Sequence, residues 1–222
     1  MDKFYTAIEN VFMKPMTKLA EQRHLKAVRD GMVSTIPLTI VGSFFLILAF
    51  PPVPAAWKES VGMFMWIQKN IGDILIPFRI TMGLVAVYAT YNIGYSLSKS
   101  YKLDGVSGGT LSLVAYFMTI IPSIATSNTG EGLGFVLPMS KLGGAGLFVG
   151  IVVSIIAVEI LRFFKVKGIT INMPEGVPES VARSFEALFP TVAVVLIAWI
   201  LFVILKLDIH NLFANIFNPL KG

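Results

Sequence analysis

Residues Met32–Phe50 read MVSTIPLTIVGSFFLILAF, and none of the 19 is charged. In an α-helix such a stretch reaches about 28 Å at 1.5 Å per residue, close to the hydrocarbon thickness of a bilayer. A helix satisfies its own backbone hydrogen bonds, which lipid cannot do. Three further runs of the same kind follow at Ser107–Ile124, Gly144–Ile160 and Phe189–Leu205. A fifth, Ile80–Ser96, is weaker because Tyr88, Thr90, Tyr91 and Asn92 interrupt it. The pattern predicts an all-α polytopic membrane protein with about five transmembrane helices and amphipathic interfacial helices around them.

The basic residues fall on alternating sides of these runs. Lys3, Lys14, Lys18, Arg23, Lys26 and Arg29 precede the first span, and Lys99 and Lys102 follow the second. Arg162, Lys165, Lys167 and Arg183 lie between the fourth and fifth. Twelve of the 18 basic residues thus share one face. Positive charge is retained in the cytoplasm during insertion. The expected arrangement is a multi-pass protein of the bacterial inner (plasma) membrane, with its N-terminus cytoplasmic and residue 222 external.

Composition agrees. The chain is 55% hydrophobic and only 14% charged, against roughly 45–50% and 25% in soluble domains. A net charge of +5 carries no basic cluster on a soluble domain, so nucleic acid is not an expected partner; topology and anionic lipid account for the excess. There is no cysteine, which excludes disulfides, thiolate metal sites and a phosphocysteine on this chain. The N-terminus does not read as a cleavable signal peptide, because about thirty polar and amphipathic residues precede the first span.

Outside the spans, residues 1–31 read as a cytoplasmic amphipathic segment, with Phe4, Ile8, Val11, Phe12, Met16 and Leu19 at helical spacing. Such a helix lies in the membrane interface or packs on the rest of the protein. Span one is taken to begin at Met32 after Asp30-Gly31 and is stopped by Pro51-Pro52-Val53-Pro54. Trp57–Ile67 reads as a short external or partly inserted helix, Ala125–Gly143 as an external loop and Lys165–Leu188 as the longest cytoplasmic connection. Residues 32–205 form the five-span domain, and 206–222 an external interfacial segment.

Groups able to carry chemistry are sparse. His24 and His210 fall on opposite sides of the membrane, so they share neither metal nor proton, and a lone interfacial histidine is ordinarily solvated. No metal-ligand spacing, phosphate loop or nucleophile elbow occurs, so no catalytic, substrate-binding or metal residue is assigned and no cofactor is expected. Asp73 and Arg79 flank Ile74–Phe78, and their spacing of six puts them on different helix faces; they snorkel outward or line a water-filled entrance. Glu159 and Arg162, three apart, share a face and are expected to pair. Gly143, Gly144, Gly146 and Gly150 permit close helix contact.

Two segments are more individual: RHLKAVRDGM at 23–32, running into Pro37, and MPEGVPESVARSF at 173–185, closing with Leu188-Phe189-Pro190. In the second, Pro178 and Glu179 suit the start of a helix. In this order and separation they resemble the membrane subunit, enzyme IIC, of the lactose/cellobiose/diacetylchitobiose branch of the phosphoenolpyruvate-dependent sugar phosphotransferase system. The resemblance covers essentially the whole chain. It implies a permease for a β-linked disaccharide, phosphorylated by a phosphocysteine on enzyme IIB, which enzyme IIA serves in turn. It also implies a homodimer. The family's subunit is about twice this length, and its sugar pocket lies in the C-terminal half. This chain then corresponds to the scaffold and dimerisation half, leading to an absent transport domain. By itself it carries no catalytic residue, although the full permease takes part in phosphotransfer. A complete small membrane protein, such as a channel or an assembly partner, is the other reading the residues leave open.

Overall fold

The computed structural model describes residues 21–127, 129–171 and 176–217. The proposed amphipathic positions up to Leu19 lie outside these residues, as do residues 218–222. Helix α1 (Arg23–Val33) runs almost directly into α2 (Ile36–Ala49), making one apolar rod of 27 residues, Arg23–Ala49. The first span therefore starts well before Met32. Gly31 does not break it: the residue is buried, and a Cβ there would lie 2.5 Å from Ile93. Pro37 is tolerated because it sits in the first turn of α2, where a missing N–H is harmless. At the joint the Ser34 and Thr35 hydroxyls donate to the carbonyls of Gly31 and Met32 at 2.6 and 2.7 Å. At about 40 Å the rod exceeds the hydrocarbon core, which lets Arg23, Lys26 and Arg29 ride at headgroup level.

After the proline stop come two short helices, α3 (Ala55–Ser60) and α4 (Gly62–Lys69), with Trp57, Met63 and Trp66 exposed. Helices α5 (Ile71–Ile74) and α6 (Ile76–Thr81), a turn of 3₁₀ and α7 (Val85–Ser100) then make a second long rod, Ile71–Ser100, of 30 residues. The second span thus starts about nine residues earlier than the sequence implies, and Asp73 and Arg79 fall within it. Helix α8 (Gly105–Met118) is capped by Asp104, whose side chain accepts from the Ser107 N–H at 2.7 Å. It is 14 residues long and stops short of the predicted Ile124.

Ile124 instead lies in a two-stranded antiparallel sheet, β1 (Ser123–Thr126) with β2 (Gly132–Val136). Ser123 faces Val136 and Ile124 faces Phe135, with a bulge between Ala125 and Thr126. The expected loop is therefore a hairpin. A rod of 23 residues follows, Gly144–Val166, containing α9 (Leu147–Val166). The long connection contains α10 (Glu179–Glu186), as the Pro178–Glu179 signal predicts. The last span is α11 (Leu188–Ala198) continued by a π turn, Trp199–Ile204, and it bends by 67° into α12 (Ile209–Phe217). Among the described residues three rods are long and apolar enough to cross a bilayer, and the bent pair makes a fourth if it counts as one span. The other expected span is the 14-residue α8, which is shorter than a bilayer-crossing helix. The fold is a predominantly helical membrane protein.

The core lies among α7, α8 and α9, with α1 packed on α7 and α11 closing over α8 and α9. Small residues set the separations, since lipid supplies no hydrophobic drive between helices. A Cβ on Gly94 would come 2.7 Å from the Gly108 carbonyl oxygen, and one on Gly108 would come 2.9 Å from that of Gly94. Most buried hydroxyls are spent locally, Ser98 being the one without a partner among the described residues. Thr90 donates to the Ala86 carbonyl at 2.6 Å, Ser112 to Gly108 at 2.8 Å and Ser154 to Gly150 at 2.6 Å. Ile40, Phe44, Ile47 and many other large apolar side chains face outward, as lipid-exposed surfaces do.

Candidate functional site

Polar side chains collect at the two ends of the helix bundle. At the end where α7 and α9 finish, Glu159 is the hub. Its Oε1 accepts from the Tyr101 hydroxyl and lies 3.0 Å from His24 Nε2, and its Oε2 accepts from Arg162 at 3.1 Å. The first turn of α1 supplies Arg23 and His24, the residue after α7 supplies Tyr101, and α9 supplies Glu159 and Arg162. The guanidinium carbons of Arg23 and Arg162 lie 4.5 and 4.4 Å from the Tyr101 ring centroid. Such cation–π contacts add to the hydrogen bonds. Burial first, and the Glu159 carboxylate second, push the Tyr101 phenol above its ordinary range, so it stays protonated and donates.

At the opposite end, Tyr116 donates to the Lys141 carbonyl at 2.6 Å, and His210 Nε2 lies 3.1 Å from Thr119 Oγ1. Lys141 Nζ is 3.9 Å from Asp208, which also accepts from the Asn211 N–H at 3.0 Å and so caps α12. These contacts tie the end of α8, the segment after the hairpin and the start of α12 together.

The i, i+3 pairing of Glu159 with Arg162 is as the spacing predicts, and the two histidines do lie at opposite ends. His24, however, is not simply solvated: it shares Glu159 with Tyr101. The signal for that contact was the span order, which puts His24 and Glu159 on one side although 135 residues separate them. Asp73 and Arg79 are both exposed and form no ion pair with each other among the described residues. Ser34, Thr35 and Thr39 donate to backbone carbonyls one turn back. The described residues hold no group of three or more His, Cys, Asp or Glu that could hold a metal. The Thr119 hydroxyl donates to the Tyr116 carbonyl at 2.7 Å, and both polar clusters fasten helices together.

Residues 29–218 match the family profile "Phosphotransferase system, EIIC". The chain belongs to the EIIC family. The cellobiose-specific EIIC component of Geobacillus stearothermophilus is 35% identical, over 99% of this chain and 49% of the relative. The lichenan permease IIC component of Bacillus subtilis (strain 168) is 34% identical, over 100% and 50%. Among solved structures, the transporter ChbC, the IIC component from the N,N'-diacetylchitobiose-specific phosphotransferase system, superposes with a TM-score of 0.78 at 35% identity. That superposition covers 96% of this chain and 50% of ChbC. The EIIC chain described here thus spans about half the length of the relatives it matches.

Proposed function

We propose that this EIIC chain is the scaffold half of a sugar permease that takes up a β-linked disaccharide such as cellobiose or diacetylchitobiose. The observation that carries the reading is the match along 99% of the chain to a cellobiose-specific EIIC component. In the complete permease the sugar is phosphorylated by enzyme IIB, with enzyme IIA upstream, and the sugar site belongs to the other half. The chemistry of this half supports that division. Its hydroxyls in α1 and α2 are committed to backbone carbonyls, and its two polar clusters act as fastenings. Co-expression tests the reading. The chain and the C-terminal half of the Geobacillus component, placed in a bacterium lacking cellobiose uptake, are expected to restore accumulation of phosphorylated cellobiose when IIA and IIB are present. Assembly of the two halves without any uptake would count against it.

The same reading places Lys99 and Arg162 in the cytoplasm and Glu131 and Asp208 outside, and it makes the chain a homodimer. Lys99 and Arg162 lie at the end of the bundle that holds the Glu159 cluster, and Asp208 lies at the other end. Single cysteines at these four positions are expected to react with an impermeant maleimide in intact cells only at 131 and 208. Amine cross-linking in the same membranes should give a dimer band. External labelling at 162 would invert the topology, and a monomer band alone across several cross-linker lengths would remove the dimer.

A further inference from the structure

Between the ends of α7 and α9, the start of α8 and the short helix α10 lies a cleft of about 390 Å³. Lys99 reaches it from the last turn of α7, Lys102 from the turn that follows, and Lys165 from the last turn of α9. Its two carboxylates are engaged: Glu186 bridges Lys165, and Asp104 accepts from the Ser107 N–H. Lys99 and Lys102 make no ion pair among the described residues, and the Lys99 ammonium lies 5.8 Å from the Tyr95 ring centroid. The hydroxyls of Ser107 and Thr170 line the same cleft and make no hydrogen bond among the described residues.

The backbone at Lys102 is unusual as well. Its N–H bonds the Lys99 carbonyl at 3.0 Å while the Leu103 N–H bonds that of Ser98 at 2.9 Å, which closes α7 in a Schellman turn. Lys102 occupies the left-handed position of that turn with φ of 59°. Glycine is the ordinary residue there, because any Cβ is strained in this conformation. The chain keeps a lysine where the turn alone favours glycine.

We propose that this cleft binds a phosphate group, held by the Lys99 and Lys102 ammonium groups with the Ser107 and Thr170 hydroxyls donating. Its source is the headgroup of an anionic phospholipid. A phosphate offers several acceptor oxygens and a negative charge, matching two lysines that make no ion pair among the described residues, a net positive charge after Asp104 is counted, and two unspent hydroxyl donors. The cleft lies where the rods Ile71–Ser100 and Gly144–Val166 end and α11 begins, the level at which helix ends of a membrane bundle meet lipid headgroups, and its apolar side is formed by Leu161, Ala187 and Pro190. Basic pockets between helix ends are where anionic headgroups bind.

Native mass spectrometry of the purified chain in a neutral detergent tests this, with phosphatidylglycerol as the probe and phosphatidylcholine as its zwitterionic counterpart. Wild type is expected to retain one phosphatidylglycerol and no phosphatidylcholine. Lys99→Gln and Lys102→Gly should each weaken retention about five-fold, as roughly 1 kcal/mol per lysine implies. Lys102→Gly suits the backbone, so its melting temperature should match or exceed wild type, separating lost binding from lost fold. Lys206→Gly is the matched control: that lysine is also left-handed, with φ of 52°, but follows the last span at the opposite end. It should bind as wild type does. Equal retention by all variants, or of both lipids, overturns the site. Displacement of the lipid by millimolar inorganic phosphate or glucose 6-phosphate overturns the lipid source and assigns the cleft to a soluble phosphate.

Discussion

Gly94→Ala and Gly108→Ala are each expected to destabilise the chain by about 1–3 kcal/mol, toward the upper end of what overpacking costs. The two glycines face each other where α7 crosses α8. A methyl on Gly94 meets the Ser112 hydroxyl, which can rotate, but also the Gly108 carbonyl oxygen at 2.7 Å, which cannot. A methyl on Gly108 meets the Ser98 side chain and the Gly94 carbonyl oxygen at 2.9 Å. Relief requires the helices to part, and in lipid their association rests on close packing and on hydrogen bonds between them. Parting them also disturbs Ser154, which donates across to the Thr90 carbonyl at 3.0 Å and anchors α9 to α7. Gly144→Ala is the control, because a Cβ there meets nothing within 4 Å. Thermal unfolding in one detergent should show Gly94→Ala and Gly108→Ala melting well below wild type, with Gly144→Ala unchanged. Three equal melting temperatures would mean that this crossing does not set the packing.

What the sequence made legible was whatever depends on local pattern. The apolar runs marked the membrane helices, the spacing of three joined Glu159 to Arg162, and Pro178-Glu179 marked the start of α10. Boundaries were less legible, for a physical reason. Polar residues within a turn or two of the headgroups are tolerated, so a helix does not end where its apolarity ends. Asp30-Gly31 resembles a break, yet Gly31 is a packing contact against Ile93. Asp73 and Arg79 read as lying ahead of a second span that starts at Ile80, yet the rod runs through both. The hairpin was hidden because alternation is the signature of a strand with one buried face. Here Ile124, Leu133 and Phe135 are all exposed, and the glycines of Gly132–Val136 suit a loop equally well. The Glu159 cluster draws on three separate elements, which only the fold brings together.

Residues 1–222 alone are expected to bind no disaccharide. A sugar of that size needs a concave pocket of at least about 300 Å³ with several preplaced donors and acceptors. The groove between α9 and α11 offers about 50 Å³ and is lined by Ala115, Val153, Ile156, Val194, Leu201, Phe202 and other apolar side chains. A second hollow, of about 220 Å³ beside Phe50 and Phe64, has Gln68 as its one polar side chain. The larger cleft at the helix ends does hold polar groups, but Glu186 is tied to Lys165, Asp104 caps α8, and no aromatic ring among the described residues lines it for a sugar face to stack on. Buried hydroxyls do not compensate: Thr90, Ser112 and Ser154 already donate to carbonyls, and Ser98, which has no partner among the described residues, is packed against Gly108 at the helix crossing. Isothermal calorimetry of the purified chain, in a detergent without a sugar headgroup, should therefore give no saturable heat with cellobiose, diacetylchitobiose or lactose up to millimolar concentration. Saturable binding at micromolar sugar would move the sugar site into this half, and the scaffold assignment would fall.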